Sequence, residues 1–242
     1  MARLFDDAAT EYLDFAGAAI AAHPVTLACW FYSDDTAATQ HLVSVADNTV
    51  TNRSWHLTLI SGKVAMGANA GNYASTTGSY AANTWTHACG VAAATNDRRV
   101  YMNGADKVTN AVGATLGSRN RTSIGRLSSS APAGYMSGRI ALPAIWNVAF
   151  TDAEVAAAAS GIDPCRMRPD ALVGYWPIWG LHSPEIDLTS GGRLMTVTGT
   201  TLANGPPIQP FSRRFWRGFT DQAAGAPPPS GGHRAMLLGV GR

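Results

Sequence analysis

From residue 1 to about residue 150 the apolar residues of this chain come in short or alternating runs, separated by Gly, Asn, Ser and Asp. Such a pattern is the signature of a β-sandwich or barrel, in which short strands pair into sheets that hide their apolar faces. Trp55-His-Leu-Thr-Leu-Ile60 alternates cleanly, turns at Ser61-Gly62 and returns as Lys63-Val-Ala-Met66, which predicts a hairpin. Val25 to Tyr32 is rich in β-formers and is closed by Ser33-Asp34-Asp35. Trp85 to Val91 and Arg99 to Met102 read as further strands, the second ended by Asn103-Gly104, a pair that adopts positive φ at little cost.

One helix is predicted. Thr151-Asp-Ala-Glu154 is a capping box, in which the Thr hydroxyl takes the Glu154 amide and the Glu carboxylate returns to the Thr amide. Ala-rich residues 153 to 159 propagate the helix, Gly161 stops it, and it is expected to pack over one end of a sandwich. Beyond Pro164 the texture changes. Leu172 to Trp179 and Arg193 to Thr198 are strand candidates, and an extended Pro, Gly and Arg-rich arm follows over 206–242.

The chain has 242 residues, enough for one large β domain, and its charged fraction is 14%, well under the quarter usual in soluble domains. The formal charge of +2 is uneven: residues 206–242 carry Arg213, Arg214, Arg217, Arg234 and Arg242 against Asp221 alone, leaving the body acidic. A body without a basic stripe argues against nucleic-acid binding. No run is long enough to span a membrane. Met1-Ala-Arg leads into an acidic stretch and not an apolar one, so no secretory signal is expected and synthesis is placed in the cytoplasm. The three cysteines cannot all pair, and Cys29 and Cys89 read as small core hydrophobes.

The succession Val25 to Tyr32, Trp85-Thr-His-Ala88, Val100-Tyr-Met-Asn-Gly104, Ser123-Ile-Gly125, Gly138-Arg-Ile-Ala141, Ile145-Trp-Asn147 and Thr151-Asp-Ala-Glu154 resembles the laminin-G-like, concanavalin A-like jelly roll over roughly residues 1 to 160. The resemblance implies an all-β fold of two antiparallel sheets packed face to face, with one short helix. The expected organisation is a jelly roll over 1–163, additional strands over 164–205 that complete the same sandwich, and the docking arm over 206–242. Leu172-Val-Gly-Tyr-Trp-Pro looks like the segment that usually opens such a domain, so a fold-back in the manner of a circular permutation is expected over 171–202. The rival is the start of a second, truncated repeat.

Some glycoside hydrolases with this jelly roll carry three carboxylates on one strand face. Glu185-Ile-Asp187 is a partial match, but Thr189 and Ser190 stand where the third would fall, so no catalytic residue is assigned. His23, His41, His56, His87, His182 and His233 are scattered without metal-ligand spacing. Laminin-G relatives can hold calcium at the sandwich rim, which makes Asp47, Asn48, Asn69 and Asn72 candidate ligands; turn chemistry explains the same residues. No other cofactor is expected.

Three functions are weighed. The first is a non-catalytic structural or adhesive module of a phage-type virion, for capsid decoration or tail association, assembled in host cytoplasm. It would dock on other virion proteins through Arg213, Arg214, Phe215, Trp216, Arg217 and Phe219 and the apolar stub Met236, Leu237 and Leu238, residue types favoured in interfaces. By analogy with particle-mounted jelly rolls, a homo-oligomer is expected. The second is a lectin-like module binding cell-surface glycans, with Tyr73, Tyr80 and Tyr135 stacking on sugar faces. The third is a glycoside hydrolase acting through Glu185 and Asp187.

Overall fold

A computed structural model describes residues 1–208 apart from 70 and 116. Its strands, numbered in chain order, form two antiparallel sheets. The first runs β10 (Ala105–Asn110), β9 (Asp97–Met102), β8 (Thr86–Ala94), β3 (Val25–Ser33), β12 (Gly138–Trp146), β1 (Ala2–Phe5) and β15 (Thr201–Ala203), with β13 (Leu172–Tyr175) also paired to β12. The second runs β14 (Thr196–Thr198), β2 (Tyr12–Phe15), β11 (Arg121–Ile124), β4 (Gln40–Ala46), β5 (Ser54–Ile60), β6 (Lys63–Ala68) and β7 (Asn72–Ser75).

Strand alternation builds the core. From β3, Val25, Leu27, Cys29 and Phe31 enter the main cluster between the sheets, where they meet Leu57, Leu59 and Trp55 of β5 and Val43 and Val45 of β4. Each such apolar side chain, when fully buried, contributes about 1.5–3 kcal/mol. The turns follow from their residues. Ser61 (φ 49°) and Gly62 (φ 77°) join Ile60 to its partner Lys63, and Asn103 (φ 52°) and Gly104 (φ 75°) join Met102 to Ala105. Gly104 is required twice over, because a Cβ there would lie 2.9 Å from the Ala156 Cα of the helix.

The helix α1 (Asp152–Ala159) forms with both halves of its capping box in place. Its position departs from expectation. It covers the outer face of the first sheet, and not an end of the sandwich: Val155 and Ala158 join Ala28, Cys89, Val91, Tyr101, Ala144, Trp146 and Phe150 in a second buried cluster. The reason is in the alternation, since Ala28, Cys89, Val91 and Trp146 are the apolar outward residues of their strands and need a cover. Cys29 and Cys89 are both buried, on opposite faces of this sheet, and burial pushes both thiols up.

The segment after Pro164 enters both sheets. β13 pairs with β12, β14 with β2, and β15 with β1, where Arg3 faces Leu202. The strand expected over 172–179 stops at Tyr175, because Trp176 turns into the core and its indole N–H donates to the Arg193 carbonyl at 2.6 Å. Arg3 locks the return. Its Nε donates to Glu185 Oε1 at 2.7 Å and its Nη1 to the Thr200 carbonyl at 2.8 Å, with the Arg3 and Glu185 side chains almost wholly buried. No helix among the described residues is long and apolar enough to cross a membrane.

Candidate functional site

The two outer faces differ. On the second sheet the residues that alternate with the core are polar: Tyr12 and Asp14 flank buried Leu13, Ser123 precedes Ile124, and His56 and Thr58 flank Leu57. Segment 126–136 folds back over part of this face. The Ser44 hydroxyl donates to the Arg126 carbonyl at 2.8 Å, and the His41 amide donates to the Gly134 carbonyl at 2.8 Å. A side chain at Gly134 would strike the His41 ring, so the loop lies directly on it.

Where this loop ends its cover, a groove of about 350 Å³ remains open. Tyr12 and Asp14 of β2 and Arg121 of β11 form its floor, the loop supplies Arg126, Ser128, Ser129, Ser130 and Pro132, and Asn48 closes one side. Its size falls in the range of small-ligand sites. The Arg126 guanidinium carbon stands 3.3 Å above the centre of the Tyr12 ring, and Tyr12 in turn faces Tyr135 at 6.3 Å. Asp14 gathers the charges: Arg121 Nη1 donates to its Oδ2 at 2.9 Å, Arg126 Nη2 lies 3.5 Å from its Oδ1, and the Ser123 hydroxyl also donates to Oδ1. Arg126 Nε is buried without a partner.

Beside the groove, a row of rings crosses β4, β5 and β7. His41 and His56 are 5.1 Å apart edge to face, and His56 and Tyr73 are 5.4 Å apart. Gly67 lets them approach, since a Cβ there would overlap both His56 and Tyr73. The Ser54 hydroxyl lies 3.0 Å from His56 Nδ1, whereas His41 Nδ1 and His56 Nε2 have no partner. Burial lowers both histidines, His56 to about 4. These scattered histidines are thus brought together as a packed pair, and among the described residues no group of three or more His, Cys, Asp or Glu could hold a metal ion.

The expected site residues separate. Tyr135 lies beside the groove and Tyr73 stands half-buried on the same sheet face. Tyr80 does not serve as a sugar platform: it is 5% exposed, packs edge to face on Phe31 at 5.1 Å, and its hydroxyl donates to the Asp35 carbonyl at 2.9 Å. Asp47 is already occupied, accepting from the Thr49 hydroxyl at 2.6 Å and amide at 2.9 Å, which holds its carboxyl below the usual carboxylate range. Asn48 lines the groove, Asn69 turns with φ 59° and donates to the Thr115 carbonyl, and Asn72 opens β7.

Glu185 and Asp187 are away from the groove and turned to structural use. Glu185 accepts from Arg3 and from the Gly180 amide at 2.9 Å, and Asp187 accepts from the amides of Tyr175, Thr189 and Arg193. The arm residues Arg213, Arg214, Phe215, Trp216, Arg217, Phe219, Met236, Leu237 and Leu238 lie outside the described residues. A second cleft, also about 350 Å³, is bordered by Met1, Leu4, Arg139 and Leu202 at the β1–β15 edge, and no aromatic ring lines it.

No motif in the sequence singles out Tyr12, Asp14, Arg121 or Arg126. The alternation Tyr12-Leu13-Asp14 places two polar residues on one face, which is the signal that could have found the first pair. Arg121 and Arg126 come from a segment more than 100 residues on in sequence and meet Asp14 only through the pairing of β2 with β11.

Solved structures share this architecture. A candidate carbohydrate-binding protein from Bacteroides ovatus superposes with a TM-score of 0.61 at 17% identity, covering 86% of this chain and 61% of that one. A heptameric SAP-like pentraxin from Limulus polyphemus gives 0.52 at 19% identity over 62% of this chain and 75% of its own. The CBM40 module of the Ruminococcus gnavus IT-sialidase gives 0.50 at 16% identity over 56% and 82%. No curated protein matches the chain. The model of the concanavalin A-like lectin/glucanases superfamily matches residues 7–156, more than half of the sequence, and this chain belongs to that superfamily.

Proposed function

We propose that this chain is a non-catalytic glycan-binding module that holds its ligand in the groove formed by β2, β11 and the 126–132 loop. The observation that carries the reading is the groove itself: the Tyr12 ring lies beside charged and hydroxyl side chains on the one sheet face that no helix covers. A sugar offers an apolar ring face and a rim of hydroxyls, so it is bound by an aromatic edge with polar groups set around it. Similarity to a protein described as carbohydrate-binding agrees with this.

Absence of turnover follows from the same inventory. Glycosidic hydrolysis needs two carboxyl groups across the bond, and Asp14 is the one carboxylate lining the groove, held by two guanidinium groups. Glu185 and Asp187, the carboxylates the sequence offers as a pair, are committed elsewhere. Binding of the full chain to a panel of immobilised oligosaccharides is expected, with no reducing ends released from any of them. Tyr12→Ala is expected to abolish capture. Hydrolysis of a bound sugar that survives this substitution would overturn the reading.

Docking of residues 206–242 on an assembly would be a separate property of the chain, carried by the Arg213 to Phe219 cluster. Loss of co-purification with a particle on truncation after Ile208 is its test.

A further inference from the structure

The groove's polar groups do not face its opening equally. The Asp14 side chain is 13% exposed, its two oxygens accept from Ser123 and Arg121, and Arg126 pairs with it at 3.5 Å. The more exposed charged group is Arg121. Arg121 engages Asp14 through Nη1 and keeps 27% of its side chain exposed, whereas Arg126, 12% exposed, lies flat against the Tyr12 ring. Ser130 is exposed on the loop above them.

Two guanidinium groups against one carboxylate leave a net positive charge in the groove. That charge sits against the low-dielectric ring of Tyr12 and under a loop, where a charge-assisted hydrogen bond is stronger than at an open surface. A neutral sugar hydroxyl would satisfy the donors without using the charge; an anionic group would use both. Arginine's planar fork matches a carboxylate or a sulfate in two-point geometry, which a lysine would not.

Resting on the groove being the glycan site, we infer that it selects acidic sugars, those bearing a carboxylate or a sulfate, and that Arg121 and Arg126 are the residues that make the selection. The anion takes the free edge of the Arg121 guanidinium with the Arg126 charge close by, while the ring lies along Tyr12 and Tyr135. Asp14 is then a positioning residue, holding both arginines at the groove floor.

The full chain, applied to an array of neutral, carboxylated and sulfated oligosaccharides, is expected to bind the acidic members, and the two acidic arms tell which anion is preferred. The best binder is then titrated beside its uncharged counterpart, prepared by carboxyl reduction or desulfation. Loss of the charge is expected to weaken binding by at least about tenfold, the range of one charge-assisted contact, and raising salt is expected to weaken the acidic ligand alone. Arg121→Gln, partly exposed and so tolerable to the fold, is expected to erase the difference between the pair while thermal unfolding stays cooperative; Arg126→Gln is the second variant. Equal binding of charged and uncharged partners, or equal loss of both in Arg121→Gln, would overturn the selection and leave glycan binding standing. No capture of any sugar would remove both.

Discussion

The outer faces of the two sheets obey the same alternation and end in opposite states. On the first sheet the outward residues under the helix are Ala28, Cys89, Val91 and Trp146, and the helix and Phe150 lie over them and bury them. On the second they are Tyr12, Asp14, His56 and Ser123; His56 and Ser123 are buried, while Tyr12 and Asp14 stay partly exposed beside the 126–136 loop. An apolar outward row demands a lid and becomes core. A polar row under a partial lid leaves a groove open at its Tyr12 and Asp14 end. Which sheet works and which is merely held is therefore decided by residues at every second position of strands that look alike in their inward halves.

That contrast can be broken by substitution. Trp146→Ala is expected to cost about 3–5 kcal/mol, because the ring is fully buried against Phe150 at 4.7 Å and its N–H donates to the Met167 carbonyl at 2.7 Å. Chemical denaturation checks this, and a loss as small as that of a surface variant would mean the helix face is no core at all. Glu185→Ala, which strands Arg3 with its charge buried, is expected to reach a similar size by a different route, with Glu185→Gln intermediate.

Acid should destabilise both faces. His56 is held at about 4 and His87, on the outer face of the first sheet beside Trp30, at about 3, both through burial. Each is neutral in the fold, and the unfolded chain takes up protons near 6.5 that the fold refuses. Stability is therefore complete above pH 6.5 and falls as the pH drops toward those lower values, by about 1.4 kcal/mol per pH unit for each histidine. His56→Gln is expected to flatten the slope by one proton's worth, which denaturant midpoints across pH 4–7 would measure. At the small end, Thr151→Ala removes the cap of α1 and is expected to cost about 1 kcal/mol with sugar binding unchanged, readable by thermal unfolding and the array together.

Much of the frame is legible in the order of the residues alone. Ser61-Gly62 and Asn103-Gly104 declare their hairpins because few other pairs accept two positive φ values in succession. Thr151 to Glu154 declares its helix because the cap is local. What is not legible depends on distance along the chain. The helix's seat requires Ala28, Cys89 and Trp146 to share a face, which only the pairing of their strands decides. Tyr80 has the sequence setting of a loop ring, yet the turn that carries it folds inward onto Phe31, and no neighbouring residue advertises that. The groove requires β2 and β11 to be adjacent, a pairing that joins Leu13 to Ile124.

Beside these faces runs the seam at which β15 lies along β1 and β14 along β2. Neither early strand has a nearby companion: β1 must find β12 and β15, and β2 must find β11 and β14. The entropy of closing such wide loops is lost before the contacts that reward it can form. Each early strand is thus held by one partner from the middle of the chain and one from its final strands, so the seam ties the two sheets to contacts that span nearly the whole described chain.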